Sequence, residues 1–97
     1  MNQPDKDSLA KTIDVAPWDL LRSHLERGGI IVVDQALELA DVAFNVASDN
    51  KVSVERWLSN SLLTKPSLEQ ISDWDCNRQK LFSMIVISPF VLIQETP

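Results

Sequence analysis

A chain of 97 residues, 44% hydrophobic and 24% charged, is sized and composed for one globular domain, which excludes a disordered polyelectrolyte. Its net charge of −5, with Lys and Arg scattered and never in a run, argues against nucleic acid and anionic membrane surfaces, whose binding needs clustered cations. A single cysteine, Cys76, excludes an intramolecular disulfide and fits a reducing cytoplasm, where we place the protein.

Met1–Asp7 reads as a disordered polar tail lacking the apolar stretch of a secretory signal, and residues 8–97 as one domain. "SLAKTID" suits a short helix with Ser8 as its N-cap. "APWDLLRSHLERGG" is a clearer helix: Pro17 suits the first helical position, and Gly28 the left-handed residue after the end. Trp18, Leu21 and Leu25, at i, i+3 and i+7, share one face. Ile30–Val33, four β-branched residues between Gly29 and Asp34, predict a buried strand, and Asp34 is placed to cap the next helix. There Leu39, Val42, Ala43, Val46 and Ala47 give the strongest helical period in the chain. "SDNK" breaks it. Ser53 then suits the cap of a helix carrying Val54, Trp57 and Leu58, followed by a short extended piece at Leu62 and Leu63.

Ser67 and Gln70 have the spacing of a capping box, with Leu68, Ile71 and Trp74 on one side of the helix that follows. "DCNRQK" reads as a loop. From Leu81 to Ile93 the chain is almost wholly apolar and rich in Ile and Val. Thirteen residues are too few for a membrane helix, which needs about 20. As one straight strand they would span roughly 43 Å, too long for a body with a radius of gyration near 13 Å. The run therefore breaks at Ser88–Pro89 into segments of about 82–88 and 90–94. A bend or bulge is expected there, because proline suits the primed hairpin turns poorly. Neither segment alternates with polar residues, so both faces are covered, by helices on each side or by another copy of the chain. Val86 is placed in the core. The fold expected is α+β: a small two- or three-stranded sheet, holding Ile30–Val33 and Met84–Ile93, packed with four or five helices in one layered domain.

"PWDLL", "GGIIVVD", "LELADVA", "VERWL", the isolated Trp74 and "SPFVLIQ" stand in an order and spacing that resembles a bacterial family, domain of unknown function 2288, over about Ala10 to Gln94. Phe90 departs from the pattern, where tryptophan is expected after the proline; an aromatic ring is kept. The resemblance implies a small single-domain bacterial protein, and supplies no catalytic residue to carry over.

The residues themselves point to no reaction. One histidine, His24, and one cysteine, far apart in sequence, make no metal set. Two adjacent glycines, Gly28 and Gly29, cannot build a phosphate loop, and no GxSxG is present. Asp34, Glu38 and Asp41 have the spacing of a cation site, but carboxylates at a helix start are expected from the helix dipole alone. Trp18 and Trp57 read as core. No cofactor, no metal and no enzymatic activity are expected. The leading reading is a small non-catalytic interaction protein that binds a protein partner or itself as a homodimer. Its expected interface is Trp74, Phe90, Val91, Leu92 and Ile93, an apolar end that would otherwise sit uncovered. The alternative is a winged-helix-type transcriptional regulator, from the helix–turn–helix pattern across residues 37–63. Its candidate recognition helix offers only Lys51 and Arg56 against Glu55.

Overall fold

The computed structural model describes residues 6–25, 28–87 and 90–95. In chain order the elements are α1 (Lys6–Ala10), β1 (Asp14–Pro17), α2 (Trp18–Leu21) continued by a 3-10 turn (Arg22–His24), and β2 (Ile30–Val33). Then come α3 (Leu39–Ala47), α4 (Lys51–Ser59), β3 (Leu63–Thr64), α5 (Leu68–Asp75), β4 (Leu81–Ile87) and β5 (Phe90–Glu95). The radius of gyration is 13.0 Å. Of the tail expected at residues 1–7, Met1–Asp5 lie outside the described residues, and Lys6 and Asp7 open α1.

The five strands form one mixed sheet in the order β1-β4-β5-β2-β3. This corrects the two- or three-stranded sheet expected from the sequence; the α+β class stands. β1 pairs antiparallel with β4, β4 with β5 and β2 with β3, while β2 and β5 are parallel. The two strands outside that expected sheet are the edges, β3 having been expected only as a short extended piece. β1 reads "DVAP", with an acid and a proline inside four residues, and β3 has two residues. Neither is long enough to show a period, and proline belongs on an edge, where no ladder N–H is required.

β4 and β5 pair antiparallel with Ile87 opposite Phe90, which corrects the bend or bulge expected between the two segments. The expected bend residues, Ser88 and Pro89, themselves lie outside the described residues.

Helices cover both faces of the sheet. On one face Trp18, Leu21 and Trp74 from α2 and α5 pack on Ile30, Val32, Phe82, Val91 and Ile93. On the other, Leu9, Leu39, Val42 and Ala43 from α1 and α3 pack on Val33, Leu63, Ile85 and Leu92. Successive residues of β5 thus serve opposite cores, which is why its sequence shows no polar alternation. Val86, expected inside, is more than half exposed at the end of β4. A run without alternation does not reveal where helix cover stops.

Local signals decide the helix ends. Ser67 and Gln70 form the expected capping box: the Gln70 N–H donates to Ser67 Oγ at 3.1 Å and the Ser67 N–H to Gln70 Oε1 at 2.9 Å. Gly28 has the expected positive φ, 70°. Pro17 stands one position earlier than expected, as the residue before α2; the first two N–H groups of that helix donate to the carbonyls of Lys80 and Arg78. Asp34 caps no helix. Its carboxylate accepts from the Ala36 N–H, forming a turn, and α3 starts five residues later. Asn50, not Ser53, caps α4, accepting from the Ser53 N–H at 3.3 Å.

Candidate functional site

The five residues expected to form an interface are dispersed. Trp74 is core: its ring centre is 4.9 Å from those of both Trp18 and Phe82. Val91, Leu92 and Ile93 are 4%, 1% and 0% exposed. They lie in the central strand, with β4 on one edge and β2 on the other, so no edge remains for a partner strand. Phe90 alone reaches the surface, 40% exposed at the start of β5.

Phe90 borders an apolar recess of about 140 Å³. Ile31, Leu63 and Leu92 from the sheet lie beneath it, and Val46, Val54 and Leu58 from α3 and α4 wall it. A second recess of about 200 Å³ continues from it past the α3–α4 turn, sharing Val46, Val54 and Phe90 and adding Asp49, Asn50, Lys51 and Glu55. Lys51, Val54, Glu55 and Leu58 stand at i, i+3, i+4 and i+7, one stripe of α4 turned toward Phe90.

α4 is the outlying helix of its layer. None of its nine residues is buried, whereas α3 buries four. Val54 and Trp57 are half-buried against the core, while Val52 is 68% exposed and Leu58 50%. The sharp Asn50 cap and the positive φ of Asp49, 56°, turn the chain so that α4 follows α3 closely over the end of the sheet. Sequence reasoning missed Val46, Lys51 and Glu55, which line the recesses with Phe90, and the exposure of Val52 on the same helix. The available signal was Val52, an apolar residue off the Val54–Trp57–Leu58 stripe.

A polar recess of about 220 Å³ lies at the carboxyl ends of the parallel strands β2 and β5, between Asp34, Gln35, Ser61, Thr64, Gln70 and Glu95. Its groups are largely partnered within the chain. The Asp34 carboxylate holds the Ala36 N–H, Gln35 donates to the Glu95 carbonyl, Gln70 serves the capping box, and the Glu95 carboxylate meets Lys80 Nζ at 3.3 Å. His24 and Cys76 line neither this recess nor the apolar ones. Asp34, Glu38 and Asp41 form no metal-binding group, and no three His, Cys, Asp or Glu converge on one among the described residues.

One charged group is tuned. Asp75, the last residue of α5, accepts at Oδ1 from Arg22 Nε at 2.8 Å and from Trp18 Nε1 at 2.9 Å. The Arg22 bond first, then the Trp18 bond, hold its carboxyl below the ordinary value of 3.8. The contact joins α2 to α5 over the aromatic trio, and its place beside a packed core marks it as structural.

The helix–turn–helix expected at residues 37–63 exists as α3, turn and α4, but β3 then enters the sheet beside β2. The outward face of α4 mixes Lys51 and Arg56 with Glu55, Val52 and Leu58. No helix among the described residues is long and apolar enough to cross a membrane.

These features define a small α+β domain with a mixed five-stranded sheet between two helical layers and an apolar groove at one end. The chain belongs to the family described as Protein of unknown function (DUF2288), whose model matches residues 5–95. It is also similar to a solved structure, the NMR solution structure of PA1075 from Pseudomonas aeruginosa. The two share 32% identity with a TM-score of 0.80, over 92% of this chain and 82% of that one. No curated protein matches.

Proposed function

We propose that this chain is a non-catalytic protein-interaction domain of the cytoplasm, and that its docking face is the apolar groove between α4 and Phe90. The observation that carries the reading is α4 itself: a helix with no buried residue, walling a recess lined only by apolar side chains. A monomer gains little by leaving Val52, Leu58 and Phe90 half in water; a protein partner would remove that surface. The single exposed thiol, Cys76, supports a reducing compartment.

Photo-crosslinking tests it. A photoreactive residue replacing Leu58, within the groove, is expected to capture protein in an extract of the native host. The same residue replacing Leu20, exposed on α2 away from the groove, is expected to capture far less. Equal capture from both positions would remove the docking reading.

A further inference from the structure

We infer that the groove is occupied by a second copy of this chain, in a closed two-fold dimer that packs α4 antiparallel on its counterpart. The inference rests on the docking reading above and names its partner. Two observations select a copy over an unrelated partner. The first is charge. Lys51 and Glu55 lie one turn apart on the α4 stripe bordering the groove, opposite in sign and exposed. Neither forms an ion pair among the described residues, not even with the other. An axis midway between them, perpendicular to α4, sets Lys51 against Glu55 of the copy, and Glu55 against its Lys51. The pattern is its own complement, as an isologous interface requires. A chain of net charge −5 repels its copy at long range, so a local arrangement that cancels charge at the contact matters for association.

The second observation is shape. The same axis keeps each flank of α4 on its own side. The apolar flank, with Val54, Leu58 and Phe90, then meets the apolar flank of the copy, and Val52 meets Val52. Leu58 of one chain enters the recess beside Phe90 of the other. The half-exposed apolar side chains of α4 and Phe90 are covered by one operation, and the contact closes on itself. Strand addition through β5 is excluded, because β5 already has a neighbour on each edge.

Sedimentation equilibrium and a charge exchange decide it. The wild type is expected to be dimeric at about 100 μM, a concentration that saturates an ordinary specific interface. Leu58→Glu is expected to raise the dissociation constant by at least about tenfold, since it places a charge in an apolar contact. Lys51→Glu and Glu55→Lys alter exposed positions and leave the fold intact. Each alone is expected to dissociate more readily than wild type, because like charges then face across the axis. Mixed in equal amounts they are expected to form a heterodimer with the wild-type affinity restored, and the double variant a homodimer. A wild type that stays monomeric overturns the inference. So does a dimer indifferent to Leu58→Glu, or single charge variants that show no preference for each other. If the wild type is monomeric while the crosslinker at position 58 still captures another protein, the second-copy inference fails and the docking reading stands.

Discussion

Gly28 shows how one backbone angle carries a prediction. Its φ of 70° is open to glycine and strained for any residue with a Cβ, yet a Cβ built there would meet no atom within 4 Å. The cost of substitution is therefore conformational, without a clash. Gly28→Ala is expected to lower stability by about 1 kcal/mol, where exposed Lys65→Ala leaves it nearly unchanged. Urea unfolding of the three proteins measures the difference. Asp75 carries a second prediction. Because its carboxyl sits below 3.8 when folded, the folded state binds its proton less readily than the unfolded chain. Its contribution is complete above the unfolded value and is lost as pH falls through the folded one. Acid titration followed by tryptophan fluorescence should show Asp75→Asn less sensitive than wild type to the drop below pH 3.8, because the Trp18 N–H then rests on a neutral amide at every pH.

Among the helices, α5 was the most legible, while in α4 the burial was hidden. Ser67 and Gln70 announce the start of α5 by chemistry that is complete within four residues, and both reciprocal bonds are present. Ser67→Ala is expected to cost about 1 kcal/mol, read from the shift in thermal midpoint, with Gln70→Ala costing less. The face of α5 was only partly legible. Trp74 and Ile71 pack inward as their spacing requires, but Leu68 is 85% exposed, beyond the reach of the sheet. α4 has an apolar stripe like the others, yet buries none of it fully, because the sheet beneath ends at the β5 start. Periodicity identifies the side a helix would bury, and the neighbours decide how much of it is buried. The edge strands failed for a related reason: "DVAP" and Leu63–Thr64 become strands only because β4 and β2 offer them open ladders.

At the scale of the whole molecule, stability should be graded from the sheet centre outward. β5 is hydrogen-bonded on both edges and packed on both faces, whereas α4 is joined to the body along one half-buried side. Amide hydrogen exchange is expected to be slowest in β5 and β2 and clearly faster in α4. Comparable protection in dilute solution would contradict this gradient. Protection of α4 that rises with protein concentration would report the dimer directly, while β5 should not respond. The same gradient relocates the candidate site. The apolar closing segment looked like an unfinished surface and proves to be the centre of the sheet. Of that segment Phe90 remains exposed, beside Val52 and Leu58 on the outlying helix.

Sequence by itself determined the α+β class, the core strands at Ile30–Val33 and in the closing run, the break near residue 88, the positive φ of Gly28, the capping box and the family. Most of these depend on neighbours a few residues apart or on the chemistry of one side chain, and the family on the order of motifs along the chain. Only the tertiary structure decided the five-strand order, the parallel pairing of β2 with β5, and the burial of Trp74, Val91, Leu92 and Ile93. It alone placed Lys51, Glu55 and Leu58 beside Phe90. The reason is physical. β2 and β5 stand about 60 positions apart, and no local preference records which strand will lie beside which. That choice is made by the summed burial of two cores at once, and a surface is whatever those cores leave uncovered.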